Sequence, residues 1–519
     1  MGTSSGYIDT VPDHPTEREV KLGADRQFSV PDLRDLVKRT VRLPEQRLLA
    51  TYFDTPDLRL WSRKITLRHR IGDDEGIGTW TLKLPQSHSG PTLDRTELEW
   101  VGSPDFVPDR VNEILHGVVR RAALQKVTSL ETSRRRLMLQ GGRQILLAEL
   151  DDDLVTIHGG PHDGRRFRQI EVELNEGGSS LLNRCIDRLC EAGAWIDYRG
   201  PKLARALDDD AVNGANSRSL GPRSTMADVV SASLQTAFDR ILDHEYLLRL
   251  NEEDPPPEAI HQVRVAARRL RSDLQTFKAI LDPLWAGHTR RDLKWLGDEL
   301  GLVRDADVLG QHLGLNGLPH IGDDKGVTGL RGQFQDQRST AAARVTDVLQ
   351  GERYLLLLDK LHAAVEWPPF LNVGSGRSRG IGPDDRASKA LPKVVKRPWK
   401  KLCKEVRAAD REPTDRQLHQ IRIGAKRLRY AAEAAEAVVG KRARRVATSA
   451  EALQTQLGEH HDAVIAEAWL RGRAKGASSK VAFSAGILAA EQIRRQQLFQ
   501  EDWQAGWEKV DRRAREWLG

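Results

Sequence analysis

The chain has 519 residues, of which 81 are Lys or Arg and 74 are Asp or Glu, giving a net charge of +7. That length exceeds what one core serves and implies two or more domains, while the mild positive balance points to local basic patches and acidic partners. Three cysteines without a paired C-x-x-C spacing argue against a disulfide scaffold or a zinc knuckle, and no run approaches ~18 consecutive apolar residues, so the expectation is a soluble, cytoplasmic protein with no membrane partner.

From residue 16 to about 205 the informative segments alternate with period two: TEREVKL (16–22), ITLRHRI (65–71), TWTLKLP (79–85), RTELEWV (95–101), ILLAELDDD (145–153) and RQIEVELNE (168–176). Stretches 31–40, 106–120 and 179–193 have helical spacing, which makes this half α+β. Period two places Glu17, Glu19 and Lys21 on one strand face. The same holds for Arg68 with Arg70, Lys83 alone, Arg95 with Glu97 and Glu99, Arg134 with Arg136, Glu149 with Asp151, and Glu171 with Glu173. Leu67, Trp80, Leu82, Leu98, Leu150, Ile170 and Val172 fall on the opposite faces. A solvated sheet face would account for any single strand. Here, however, carboxylate pairs and Arg/Lys pairs largely keep to their own strands, and like charges two residues apart are unfavourable unless an opposite charge sits between them. A barrel with an ionic interior and an apolar exterior buried under helices resolves this, with the cations holding an extended polyanion and the carboxylates a hard divalent ion.

Gly, Asn, Ser and Pro gather without periodicity after Leu207, and residues 208–224 read as a linker between domains at 1–207 and 225–519. Beyond it apolar residues recur every three or four positions, so the second half is predicted nearly all helical, interrupted by a loop at 372–385. HQVRVAARRLRSDL from His261 and HQIRIGAKRLRYAA from His419 form an internal repeat, echoed by LGLVRDADV (300–308) and LGEHHDAVI (457–465). His261, Arg264, Arg268 and Arg271 make one helical stripe, and His419, Arg422, Lys426 and Arg429 make its copy. Two stripes in matched register suit an extended anion. Adjacent His460 and His461 point about 100° apart on a helix, a poor chelating geometry.

EREVK followed in order by YFDT (52–55), LRHR, TWTLKLP, RTELEW, AELDDD, EVELNEG and RGPKLARAL resembles the CYTH, or triphosphate tunnel metalloenzyme, superfamily across residues 15–207. The resemblance implies an eight-stranded antiparallel tunnel barrel that hydrolyses inorganic triphosphate with Mg²⁺ or Mn²⁺. Carried over by position, Glu17, Glu19, Glu149, Asp151, Glu171 and Glu173 hold metal and order the attacking water. Lys21, Arg68, Arg70, Lys83, Arg95, Arg134 or Arg136, and Lys202 hold phosphate oxygens, with the register of Arg134 to Arg136 left open. Catalysis is expected to centre on Glu17, Glu19, Lys21, Glu171 and Glu173. Residues 225–510 resemble the CHAD family, an all-α pair of four-helix bundles, which implies polyphosphate binding on the two His-led stripes. Adenylate cyclase and thiamine triphosphatase activities, a non-catalytic polyphosphate module, nucleic-acid binding and a homodimer stay open as alternatives.

Overall fold

The computed structural model describes residues 18–72, 76–85, 95–207, 219–314, 325–371, 380–501 and 503–519, excluding the side chains of Arg18, Arg95 and residues 499–501. Glu17, most of the expected linker and most of the 372–385 loop lie outside the described residues, and Arg95 is described only as part of its strand. The chain divides into two compact units, Met1–Ser217 and Arg218–Gly519.

The first unit is an antiparallel sheet with strands β1 (Arg18–Ala24), β2 (Arg39–Arg42), β3 (Gln46–Asp54), β4 (Thr66–Gly72), β5 (Thr79–Pro85), β6 (Arg95–Val101), β7 (Gln125–Gln140), β8 (Leu146–His158), β9 (Arg166–Leu174) and β10 (Trp195–Ile196). The order across the sheet is β10-β1-β9-β8-β7-β3-β4-β5-β6, with β2 paired to β7. Short β2 and β10 add to the eight strands expected, and among the described residues no ladder joins β6 to the other end. Helix α1 (Asp109–Val119) buries Val111, Ile114, Leu115 and Val118, and α2 (Ser179–Glu191) buries Leu181, Leu182, Cys185 and Leu189.

These α2 residues follow helical spacing and close over Leu22, Leu139, Leu150, Ile170 and Val172, the apolar face of the sheet. Each large aliphatic side chain taken from water here contributes about 1.5–3 kcal/mol. The helix expected at 31–40 is absent: these residues form turns and then enter β2, where Thr40 and Val41 pair with Leu139 and Met138. Leu33, Leu36 and Val37 still join the core, so their spacing reflects burial, while the β-branched residues that follow favour a strand. Among the described residues an ion pair is buried on this apolar side. Arg168 Nε and Nη2 each donate to Asp152 at 2.6 Å, and Arg168 Nη1 donates to the carbonyls of Arg26 and Phe28. Asp152→Ala would leave a buried guanidinium without its counter-ion, so urea unfolding should show a loss of about 3–5 kcal/mol.

The described residues of the second unit are mainly helical, with α3 (Met226–Leu250), α4 (Pro257–Thr276), α5 (Pro283–His312), α6 (Lys325–Gln350), α7 (Glu352–Glu366), α8 (Ala387–Arg407), α9 (Asp415–Val439), α10 (Lys441–Ala474), α11 (Ser479–Glu501) and α12 (Trp503–Leu518). The order reads as two runs, α3–α7 and α8–α12, in which α4 and α5 correspond to α9 and α10. Thr225 and Thr414 start α3 and α9 with reciprocal capping boxes to Asp228 and Gln417. The long helices α5 and α10 serve two cores. Leu296 and Leu300 of α5 and Leu453 and Leu457 of α10 belong to the larger core, which also draws on α3, α4, α6, α7, α8, α9 and α12. Further along, Leu309 of α5 and Leu470 of α10 pack with Leu330 and Phe334 of α6 and Val481 and Ala485 of α11 in a separate four-helix core. Among the described residues no helix is long and apolar enough to cross a membrane.

Candidate functional site

In an antiparallel ladder, directly paired residues point to the same side. Lys21 therefore stands in a row with Glu171, Asp151 and Arg136 across β1, β9, β8 and β7. Glu19, Glu173, Glu149 and Met138 form the row beside it. Gly23, Gln169, Asp153, Arg134 and Gln46 form the next, reaching β3. Through Ala50 and Tyr52 the same face continues to Arg70 and Arg68, then across β5 to Thr79, Thr81 and Lys83, and to Glu97 and Glu99 on β6. Every described tunnel residue expected from a strand thus shares one face. Arg135 falls on the other side and pairs with Glu45 at 3.1 Å, which resolves the arginine register in favour of Arg134 and Arg136.

The charges on this face interlock. Lys21 Nζ lies 2.7 Å from Glu19 and 3.9 Å from Glu171. Lys202, from the turn Lys202–Arg205, lies 2.9 Å from both Asp153 and Glu171. Arg134 donates through Nε and Nη2 to Asp153 at 2.8 and 2.7 Å, and its Nη1 pairs with Asp151. Lys83 meets Glu97 at 2.6 Å, with Arg68 at 3.7 Å from the same carboxylate, and Arg136 is 3.7 Å from Glu149. Asp153, fully buried, was not anticipated, although it continues the alternation of Glu149 and Asp151 in AELDDD. The face is not ionic along its whole length. Ala50, Tyr52, Leu130, Val155 and Ile157 lie on it further along the strands and pack with Leu203, Ala206 and Leu207. An apolar block therefore closes off one part of what the alternating charges suggested was ionic throughout.

Burial opposes the charge of Glu171, but Lys202, Lys21 and Arg134 outweigh it and hold the carboxyl at about 2. Asp151 behaves in the opposite way. Burial, reinforced by Asp153, Glu149 and Glu171, overcomes Arg134 and lifts it to about 7, and its Oδ1 is buried without a hydrogen-bond partner. Among the described residues no three His, Cys, Asp or Glu side chains form a ready metal cage, since the carboxylates lean onto cations. The donor set nevertheless fits a hard divalent ion, being oxygen only, with Glu19, Glu173 and Glu149 abreast and Asp151 Oδ1 orphaned beside them. A carboxyl raised in the fold binds its proton more tightly there than in the unfolded chain, so its contribution to stability falls as pH rises from about 4 to about 7. Asp151→Asn lacks that fall. Without metal, the Tm difference between the variant and the natural protein should therefore become more positive from pH 5 to pH 8, by a few kcal/mol at most in stability terms.

In the helical unit α4 and α9 bring the repeated basic stripes together. Arg264 Nη1 donates to Asp305 of α5 at 2.8 Å, and its guanidinium lies over Gly301, where a Cβ would sit 3.4 Å away. Arg422 lies over Gly458 of α10 in the corresponding way, at 3.6 Å. Arg268 Nε crosses from α4 to the Tyr430 hydroxyl of α9 at 3.0 Å. The His419 ring is 4.5 Å from that of His461, while His261 has Arg304 as its close cationic neighbour. Burial and neighbouring cations depress Arg422 and Arg271. They also bring Lys426 down to about 7, with Arg268, Arg422, Arg271 and Arg264 acting after burial. Arg429 departs from the expected stripe: Glu433 at 2.7 Å and Glu451 at 2.8 Å take its guanidinium and neutralise it. Arg290 and Arg427, which the stripe reading left out, press on Arg271 instead. His460 is buried, 3.5 Å from Asp415, and takes a structural place.

Residues 16–192 match the CYTH domain and residues 232–471 the CHAD domain. Over 514 residues the chain is 30% identical to the uncharacterized protein Rv2226 of Mycobacterium tuberculosis, covering 92% of this chain and 93% of that one. Among solved structures, the CHAD domain of the plant Ricinus communis is similar at 24% identity over 57% of this chain and 95% of its own, with a TM-score of 0.44. The adenylyl cyclase-like HpAC1 of Hippeastrum, described with a dominant triphosphatase activity, is similar at 16% identity over 36% of this chain and 92% of its own, with a TM-score of 0.23.

Proposed function

The chain belongs to the family that joins an N-terminal CYTH domain to a C-terminal CHAD domain, and we propose that it is a phosphoryl-transfer enzyme of the triphosphatase superfamily that hydrolyses inorganic triphosphate and binds polyphosphate through its helical unit. The observation that carries this reading is the interlocked face on which Lys21, Arg134 and Lys202 share Glu171, Asp151 and Asp153. Such a lattice of exchangeable ion pairs accommodates an incoming polyanion without leaving charges unpaired.

On binding, Lys21, Arg68, Lys83, Arg134, Arg136 and Lys202 turn from carboxylates to phosphate oxygens, with Arg70 on the same face beside them. The guanidinium forks fix the chain in line, and the lysines act as point charges. The carboxylates of Glu19, Glu149, Asp151, Glu171 and Glu173, freed from those cations, would hold Mg²⁺ or Mn²⁺ as oxygen ligands. A divalent ion held there supplies charge neutralisation and acidifies bound water. Asp151, whose Oδ1 has no hydrogen-bond partner, would complete that oxygen ligand set and help orient the attacking water. Positioning and neutralisation of the spread charge then carry the transfer.

A product panel with Mg²⁺ and with Mn²⁺ tests the reading, using tripolyphosphate, long polyphosphate, ATP and thiamine triphosphate while measuring orthophosphate, cyclic AMP and thiamine diphosphate. Tripolyphosphate should exceed the other substrates in kcat/KM by about tenfold or more. Cyclic AMP formed from ATP, or no orthophosphate with either metal, would reject it.

A further inference from the structure

The exposed side of α8 carries charge of one sign over its whole length. Between Lys389 and Arg407 the helix holds six lysines and two arginines, and its one acidic residue is Glu405. At 100° and 1.5 Å per residue these cations cover about 140° of the helix surface and about 27 Å of its axis. All are exposed except Lys396, which is partly covered, while Leu391, Val394, Val395, Trp399 and Leu402 on the opposite side lie in the larger core. Among the described residues only Lys401 of this set has a carboxylate within reach, that of Glu405 at 4.0 Å. Cations four residues apart weaken a helix, and α8 has five such pairs, Lys389 with Lys393 and Lys400 with Lys404 among them. Packing does not call for them. Helix α3 opens the first run as α8 opens the second and also buries an apolar side in the larger core, yet it carries four acidic residues against two arginines.

We propose that α8 is a docking surface for double-stranded DNA, held through backbone phosphates without regard to base sequence. A B-form major groove, about 12 Å wide, admits an α-helix and flanks it with a row of phosphates on each side. Cations spread over about 140° of arc face both rows, whereas a flat lipid surface meets only the crest of a helix. Lysines predominate, and as point charges they hold phosphate oxygens, contacts that position a duplex but carry no sequence information. The exposed arc has no aromatic side chain on which an unpaired base could stack, which favours a duplex over a single strand. The major groove of an A-form RNA duplex is too deep and narrow for side chains to read, which favours DNA. The polyphosphate reading uses α4 and α9, so this inference goes beyond it and does not rest on it.

Fluorescence anisotropy of the full-length protein with a labelled DNA duplex of about 24 base pairs, from about 50 to about 200 mM salt, tests this. The logarithm of the binding constant should fall against that of salt with a slope of about −4.5 to −7, or −0.9 for each of about five to eight phosphates neutralised. Lys393→Gln, Arg397→Gln, Lys400→Gln and Lys404→Gln together should weaken binding on the order of 10²-fold at the lowest salt and make the slope shallower by about 3, with Tm unchanged or raised. The charge-keeping set Lys393→Arg, Lys400→Arg and Lys404→Arg should bind as the natural protein does, which separates lost charge from altered structure. No binding of the duplex at the lowest salt, or natural affinity and slope in the glutamine variant, overturns the proposal. So does an affinity for the single strand, or for duplex RNA of the same sequence, equal to or above that for the DNA duplex. Loss of binding to phosphatidylglycerol vesicles in the glutamine variant, with duplex binding kept, assigns the face to a lipid surface and likewise overturns it. Arg264→Gln with Arg422→Gln should hold the duplex within about threefold of the natural protein; a loss there as large as in the α8 variant places the duplex in the groove and overturns the proposal. If polyphosphate does not bind while the duplex does, the function proposed for the helical unit fails and the role of α8 stands.

Discussion

Glu19→Gln should release orthophosphate from tripolyphosphate on the order of 10²–10³-fold more slowly than the natural protein at saturating Mg²⁺, with the fold unchanged. Glu19 lies on the charged face opposite Glu173, 2.7 Å from Lys21, with its side chain 39% exposed. The amide keeps the shape of the side chain but takes away the negative oxygen pair that a divalent ion would use and the counter-charge that holds Lys21. Little packing is lost, so the near-UV circular dichroism spectrum and Tm should match those of the natural protein. A titration with Mg²⁺ should show an increased metal requirement together with a reduced kcat. Unchanged turnover across that titration would remove Glu19 from the mechanism and leave Asp151 and Glu173 to carry it.

The second large effect belongs to the groove. Arg264→Gln combined with Arg422→Gln should weaken polyphosphate binding on the order of 10²-fold at 0.15 M salt, since each charge-assisted contact to phosphate is worth about 1.5–3 kcal/mol and neighbouring pairs do not add fully. Calorimetric or filter-binding titration reads the change, and the salt dependence of binding should flatten with it. Stability should change little, because burial and the like charges of Arg268 and Arg264 depress Arg422 against the pull of Asp462 and Asp305, so relieved repulsion offsets the lost attraction. A loss of less than about threefold in affinity, in a variant with native Tm, would mean that the stripes are only a solvated surface.

The two effects read out different units, Met1–Ser217 and Arg218–Gly519. Glu19→Gln acts on the charged sheet face, and the double arginine variant acts on the helical groove. Scoring both activities in both variants therefore separates the hydrolytic reading from the binding one.

Much of the site was legible before the fold. Alternation alone assigned Glu19, Lys21, Arg68, Arg70, Lys83, Glu149, Asp151, Glu171 and Glu173 to strand faces, because side-chain parity in an extended chain is a local property. The repeat of His261 and His419 likewise announced paired helices, since identical spacing in two copies needs no tertiary information. Parity cannot say how far along a strand one environment runs. Val155 and Ile157 therefore gave no warning that the face carrying Asp151 and Asp153 turns apolar.

The sequence by itself determined which residue types share a face and where the strand-rich half gives way to helices, because both follow from periods of two and 3.6 within one segment. Only the tertiary structure decided which charges meet. Arg134 was separated from Arg135 by the register of β7 against β8, Arg429 was drawn to Glu433 and Glu451, and Lys426 was left among arginines without a carboxylate. Charge pairing depends on distances of a few ångströms between segments far apart in the chain, and those distances are set by how cores pack.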